Sequence, residues 1–144
     1  MKEEALKILI GLIKKFEGCR LESYPDPGSG GRPYTIGYGH TAWVEQNDTC
    51  TQDQADEWLK EEAKGCIEKA LRLSPRLNTP GRIAAIADFI YNCGASNYKH
   101  STLKMEIDDQ HWEGAKMQIL RWNRASGRVM RGLIRRRQAE ADLI

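Results

Sequence analysis

The sequence predicts an α+β fold, in which a small antiparallel β-sheet lobe and a larger helical lobe are joined by a long helix. Apolar residues recur at helical spacing over most of the chain, whereas residues 19–50 are rich in Gly and Pro, with strand-forming residues between them. An amphipathic pattern of about 20 residues then runs up to Pro75. We expect a single domain over residues 1–144, with an N-terminal helix and β lobe at about 1–50, the connecting helix at about 51–72 and the helical lobe at about 73–144.

The first element is a predicted amphipathic helix over residues 3–16. Lys and Glu alternate with apolar residues at helical spacing, and Gly18 is a natural helix stop. The apolar positions are Ala5, Leu6, Leu9, Leu12, Ile13 and Phe16. One face of this helix is therefore expected to be buried.

Residues 19–50 predict a two- or three-stranded antiparallel sheet with tight turns. Eight Gly and Pro residues between Pro25 and Gly39 interrupt any helix, and residues with strand propensity lie among them. The strand formers are Tyr24, Tyr34, Thr35, Ile36 and Tyr38. The boundary between this sheet and the helical lobe predicts a cleft suited to an extended polymer.

The rest of the chain predicts helices with recognisable starts and stops. Thr51 and Gln54 resemble a capping box at the start of the connecting helix. Thr79-Pro80 predicts the start of an almost wholly apolar helix that Gly94 closes. Shorter helices are predicted at 102–107 with Ser101 as cap, at 110–121 with Asp109 as cap, and at 132–143.

Positive charge is concentrated at the C-terminal end. Residues 121–144 contain seven Arg against Glu140 and Asp142, although the whole chain carries a net charge of only +2. The Arg cluster at 128–137 is compatible with a solvated helix face, with steering towards an anionic envelope, or with nucleic-acid binding. Since no nucleic-acid-binding motif accompanies it, we expect no nucleic-acid partner.

The sequence predicts neither stable membrane insertion nor a signal peptide. The longest apolar run, 8–13, is far shorter than the about 20 residues that a spanning helix needs. Glu3 and Glu4 do not suit the basic start of a signal peptide, so a chain without a leader is expected.

The cysteines and histidines do not predict a metal site. No two cysteines have CxxC spacing, and the three histidines are not placed to complete a zinc site. Buried free thiols are predicted, with one or two disulfides as the alternative. The residues concerned are Cys19, Cys50, Cys66 and Cys93, with His40, His100 and His111.

Two carboxylates near the start of the chain lie in contrasting predicted environments. Glu17 ends the first helix beside Phe16, where the helix dipole and partial burial favour the neutral form that a general acid needs. Asp26 lies in a Pro-Asp-Pro turn, where solvent favours the ionised form. Glycoside hydrolysis uses one carboxyl group of each kind, although either residue alone is compatible with a structural role.

Several motifs, taken together, resemble the phage lysozymes of glycoside hydrolase family 24. Phe16-Glu17-Gly18, an Asp nine residues on, and Thr35-Ile36-Gly37-Tyr38-Gly39-His40-Thr41 match the family's N-terminal pattern. Further matches occur, in order, over about 90% of the chain. They are Thr51 to Leu59, Phe89-Ile90-Tyr91-Asn92-x-Gly94, Ser101-Thr102-Leu103, Arg121-Trp122-Asn123 and Gly132 to Glu140.

The resemblance implies roles for individual residues. Glu17 matches the general acid, Asp26 the carboxylate that positions or activates water, and Thr35 a residue that helps to hold this water. Tyr91 and Asn92 match positions where the buried helix meets the cleft, and they are either sugar-binding or packing residues. No metal or cofactor is implied. His40, at the end of the sheet, is expected to have a structural hydrogen bond or ion pair.

The sequence departs from the family pattern in two places. The segment from Pro27 to Tyr34 is a longer, Gly-rich insert than in the best-known member, which affects where Thr35 lies relative to Asp26. Arg131 stands where the C-terminal signature usually has Pro, which affects how the last helix starts.

The function implied by this resemblance is that of an endolysin. We expect a monomer that hydrolyses the β-1,4 bond between N-acetylmuramic acid and N-acetylglucosamine in peptidoglycan glycan strands. A lytic transglycosylase acting on the same bond and a non-catalytic cell-wall-binding module are the alternatives. The enzyme is expected to wait in the host cytoplasm until a separate holin-type protein releases it onto the periplasmic cell wall.

Overall fold

The computed structural model describes all 144 residues and has the α+β fold expected from the sequence. The elements are α1 (Lys2–Glu17), β1 (Arg20–Tyr24), β2 (Thr35–Gly37), α2 (Gln52–Leu73), α3 (Pro80–Cys93), α4 (Ala95–Lys99), α5 (Thr102–Asp108), α6 (Trp112–Ile119), β3 (Arg124–Ala125), β4 (Arg128–Val129) and α7 (Arg131–Leu143). They form two compact units, one of Met1–Leu12 with Ala63–Ile144 (unit 1) and one of Ile13–Glu62 (unit 2).

The sheet of unit 2 is an antiparallel ribbon of β1 and β2. Its register pairs are Arg20 with Gly37 and Tyr24 with Thr35, and the register shifts between them, so the ribbon is irregular along β1. A bridge between Glu22 and Thr49 adds a third segment beside β1. The predicted two- or three-stranded sheet is therefore confirmed.

The predicted capping box at the start of α2 is also confirmed. The Thr51 backbone N–H donates to Gln54 Oε1 at 2.9 Å, and the Gln54 N–H donates to Thr51 Oγ1 at 3.1 Å. Two N–H groups that the first helical turn leaves unpaired are thereby satisfied. The helix ends at Leu73, before Pro75.

The core of unit 1 is built on α3, as its apolar sequence predicts. Thr79 Oγ1 accepts the Arg82 N–H at the start of the helix, and Gly94, at φ 93°, ends it. Every residue from 83 to 90 is buried, so the helix is covered on all sides. Helix α7 is its main packing partner.

The connection between α5 and α6 differs from the prediction. Asp109 ends α5, and His111, without a side-chain hydrogen bond, precedes α6. Gln110 lies between them at φ 57°, a left-handed conformation that terminates a helix and prevents Asp109 from capping the next one. Helix α4 and the β3–β4 hairpin were not predicted, because segments of five and two residues carry almost no periodicity.

The Arg cluster is divided by burial. Arg136 and Arg137 lie inside unit 1, with 3% and 0% of their surface exposed. Arg136 donates to both Asp88 oxygens at 2.9 and 2.8 Å, and Arg137 lies 2.6 and 2.8 Å from the two Glu140 oxygens. The solvated-face, steering and nucleic-acid interpretations are therefore wrong for these two residues.

The buried carboxyl groups in this cluster differ in their proton affinity. Burial raises the pKa of Glu140 well above its ordinary value, and the hydrogen bond with Asp88 adds to this effect. Burial also acts to raise the pKa of Asp88, but hydrogen bonds from Arg136 and Glu140 outweigh it and lower the pKa. Asp88 is therefore the ionised partner, and Glu140 holds its proton more tightly.

All four cysteines are free thiols in this structure. Only Cys66 is buried, whereas Cys19, Cys50 and Cys93 are half-buried. The prediction of free thiols is confirmed, but full burial applies to Cys66 alone. No helix of the chain has both the length and the apolar character that crossing a bilayer requires.

Candidate active site

Glu17 lies at the junction of the first helix and the sheet of unit 2. It is the last residue of α1, and its side chain is half-buried. Gly18 follows at φ 66°, a left-handed conformation that ends the helix and turns the chain towards β1. The helix end thus holds this carboxyl group at a defined place beside the first strand.

Asp26 is held by the loop that follows β1. Its Oδ2 accepts the N–H groups of Gly28 and Ser29, both at 3.0 Å. Its backbone closes the same loop, since the Asp26 N–H donates to Gly31 O at 2.9 Å and the Gly30 N–H donates to Asp26 O at 2.8 Å. One carboxylate oxygen is therefore committed to the loop and fixes the orientation of the other.

Thr35 starts β2 and lies opposite Tyr24 in the ribbon. Asp26 comes two residues after Tyr24, so Thr35 and Asp26 belong to the same end of the β1–β2 ribbon. Glu17 precedes the other end of β1. Glu17, Asp26 and Thr35 are all half-buried and all belong to unit 2. The long Gly-rich insert between Asp26 and Thr35 leaves Thr35 within its strand.

His40 has the structural role that the sequence predicts. Its Nδ1 pairs with Glu62 Oε1, and its ring stacks on Trp58 with 4.3 Å between the centroids. Backbone hydrogen bonds in both directions, each of 2.9 Å, join His40 to Ile36. The residue thereby fastens the end of β2 to α2 within unit 2.

The two predicted sugar-binding residues lie at the C-terminal end of α3, in unit 1. Asn92 lines a depression of about 320 Å³ together with Asn97, Trp122 and Arg124. Tyr91 is half-buried and does not line this depression. Their role in sugar binding stays a prediction.

One residue that the sequence reasoning passed over is conspicuous in unit 2. Trp43 is 97% exposed, and its backbone lies at φ 62°. The only available signal was its place in a loop between His40 and the following turn, which predicts a surface location but not the almost complete exposure of an indole.

The chain is similar to phage lysozymes over most of its length. The family model described as phage lysozyme matches residues 14–140, a range that contains Glu17, Asp26 and Thr35. An endolysin of Acyrthosiphon pisum secondary endosymbiont phage 1 is 33% identical over 139 residues, covering 92% of this chain and 91% of the relative. An endolysin of Bacillus phage B103 is 31% identical over 135 residues, and this chain spans about half of it (51%).

A solved structure has the same fold. The muramidase domain of SpmX from Asticaccaulis excentricus superposes with a TM-score of 0.84 at 27% identity, covering 94% of this chain and 92% of that one. Because the family model covers nearly the whole chain, and relatives align in order across both units, the chain belongs to the phage lysozyme family.

Proposed function

We propose that this protein hydrolyses the β-1,4 bond between N-acetylmuramic acid and N-acetylglucosamine in peptidoglycan and thereby lyses bacterial cells. The observation that carries the proposal is the arrangement in unit 2, where the family match includes a carboxyl group at a helix end, a loop-held carboxylate and a strand threonine. Those are the parts that hydrolysis of a glycosidic bond by a directly attacking water requires.

In this proposal Glu17 is the general acid. It donates its proton to the glycosidic oxygen as the bond to the anomeric carbon breaks, and the departing sugar leaves as an alcohol. Positive charge develops on the remaining ring in the transition state. The position of Glu17 at the end of α1, directly before the turn at Gly18, supports this role, because a proton donor must be held at a defined place.

Asp26 and Thr35 prepare the attacking water. Asp26 accepts a proton from the water molecule as the water oxygen attacks the anomeric carbon. The Thr35 hydroxyl holds that water in line with the bond that breaks. The two N–H groups on Oδ2 support this role, because they direct the free Oδ1 without occupying it. Direct attack by water inverts the anomeric configuration, so the first product is an α-anomer.

The proposal is tested by product analysis on purified peptidoglycan sacculi. The wild type is expected to release muropeptides with ordinary reducing ends. Glu17→Gln should lower the rate by about 1000-fold or more and Asp26→Asn by about 100-fold or more, as expected for loss of a general acid or base. Glu22→Gln removes an exposed carboxylate from the same ribbon and should retain activity.

The same experiment separates the alternatives. A lytic transglycosylase would release anhydro ends that are lighter by one water, about 18 Da, and it would have no use for Asp26. A non-catalytic module would bind sacculi and release nothing. Wild-type activity in Glu17→Gln, or an initial β-anomer detected by NMR, would contradict the assigned roles.

The oligomeric state, the location before lysis and the need for a partner protein are part of the same proposal. We propose a monomer that accumulates in the host cytoplasm until a separate holin-type protein gives it access to the cell wall. Expression with and without a pore-forming protein tests the last point, since lysis is expected only with the pore.

A further inference from the structure

The loop around Trp43 combines one feature that opposes folding with one that contributes nothing to it. A bulky side chain is rarely found at a positive φ, and Trp43 lies at φ 62°. Its indole, the largest apolar side chain in proteins, is 97% exposed and gains nothing from burial. An outlier that packing does not explain is a reason to look for a function in binding.

A depression of about 390 Å³ lies beside this indole, wholly within unit 2. Its apolar part includes Ile36, Val44 and Trp58, and its polar part includes His40, Asp48 and Gln54. Thr35 and Ile36 are neighbours in β2, so their side chains point to opposite faces of the strand. The depression that Ile36 lines is therefore separate from the surface that the Thr35 side chain faces.

The polar groups of the depression retain bonding capacity. Asp48 uses Oδ2 to accept the Glu45 N–H at 2.7 Å, which leaves Oδ1 as an acceptor. Gln54 uses Oε1 in the capping box, which leaves its Nε2 amide as a donor. No Lys or Arg lines the depression, and its one imidazole, that of His40, is paired with Glu62, so its chemistry suits an uncharged ligand rather than a phosphate or an anionic lipid.

N-acetylated amino sugars match this combination of groups. The C–H face of a pyranose ring stacks on the electron-rich face of an indole. The acetamido methyl suits the apolar part of the depression, and the hydroxyl and amide groups suit its polar edge. We propose that Trp43 and this depression form an accessory, non-catalytic binding site for the N-acetylated sugar rings of a glycan strand, a ligand class that rests on the proposed function.

The test is binding to intact purified sacculi, in a Glu17→Gln background so that the glycan is not consumed. Trp43→Gly is expected to weaken binding by about 10-fold, the loss of one aromatic contact. Because glycine favours φ 62°, the same variant should unfold at the same temperature as its parent or a higher one. Trp43→Phe, which keeps an aromatic face, should retain most of the binding.

Asn47→Gly is the matched control. Asn47 lies in the same loop region, is exposed, and has φ 67°, so its replacement relieves a similar backbone strain without removing an aromatic ring. It should bind sacculi as tightly as the parent. A purely structural role for Trp43 predicts the opposite pattern. Trp43→Gly would then unfold at a lower temperature than its parent, and its binding to sacculi would weaken only as far as the protein is destabilised.

Binding of Trp43→Gly within twofold of the parent would overturn the proposal. The proposal would also be wrong if Trp43→Gly bound sacculi like its parent but no longer bound phosphatidylcholine vesicles, because the ligand would then be a membrane. Loss of self-association in this variant, with unchanged binding to sacculi, would instead identify a second copy of the chain as the ligand. Release of muropeptides by the wild type is measured separately. If none is released, the proposed function fails, whereas the binding comparison on uncleaved sacculi still decides the accessory site.

Discussion

At the scale of single residues, the position of Asp26 depends on the glycines around it. Gly28 donates its N–H to Asp26 Oδ2, and a Cβ added at Gly28 would lie 3.1 Å from that same oxygen. A contact this close requires the carboxylate oxygen to shift by a few tenths of an ångström, so glycine at this position matters for space rather than for backbone conformation.

We predict that Gly28→Ala lowers the rate of sacculus hydrolysis by about 10-fold, because it displaces a carboxylate that must be correctly placed. Gly31→Ala is the control, since a Cβ at Gly31 meets nothing within 4 Å. Initial rates and thermal unfolding are measured for both variants. Equal rates for the two would show that the exact position of Asp26 does not limit the reaction.

At the scale of elements, the start of α2 depends on the reciprocal bonds between Thr51 and Gln54. Both bonds join backbone N–H groups to side-chain oxygens, at 2.9 and 3.1 Å. Because α2 begins directly after the segment that carries the bridge from Thr49 to Glu22, its first turn also sets where that segment ends.

We predict that Thr51→Ala lowers the free energy of unfolding by about 1 kcal/mol, the usual loss for an N-cap hydroxyl. Thr51→Ser keeps the oxygen and should stay close to the wild type. Urea unfolding followed by circular dichroism measures both. A loss of equal size in the serine variant would assign the effect to the threonine methyl group instead.

At the scale of the whole molecule, a buried cluster of four polar side chains distinguishes unit 1 from an ordinary apolar core. Asp88 of α3 forms an ion pair with Arg136 of α7, and Arg137 and Glu140 are neighbours within α7. Asp88 and Arg136 are 0% and 3% exposed, and Arg137 and Glu140 are both 0% exposed. A buried charge is stable only when it is paired, so the packing of α7 on α3 depends on the pair between Asp88 and Arg136.

The raised pKa of Glu140 predicts how stability depends on pH. A group whose pKa is higher in the folded state contributes its stability fully below its unfolded value, about 4.3 for Glu. That contribution is lost as the pH rises through the folded pKa. We therefore expect the wild type to lose stability relative to Glu140→Gln, which mimics the protonated acid, as the pH rises from about 4.3.

Urea unfolding of both proteins at several pH values tests this expectation. Glu113→Gln, which removes the exposed partner of Lys116, should leave the pH profile almost unchanged. If the wild type instead gains stability over Glu140→Gln as the pH rises, the charge of Arg137 outweighs burial, and the predicted direction is wrong.

The parts of the fold that follow local rules could be predicted from the sequence. The boundaries of α1, the capping box of α2, the Thr79 cap and the Gly94 stop all depend on residues within four positions of each other. The candidate residues Glu17, Asp26 and Thr35 were found in the same way, from short motifs in a fixed order. Their assignment to one compact unit required the structure.

By itself, the sequence determined the fold class, the main helices and the family to which the chain is similar. Helical periodicity depends on residues close together in the chain, and the order of the motifs can be read directly along it. Tertiary structure alone decided that Arg136 is buried and Trp43 is exposed. Burial depends on groups far away in the chain, such as Asp88, 48 residues before Arg136. No local pattern distinguishes an arginine with such a partner from one that faces water.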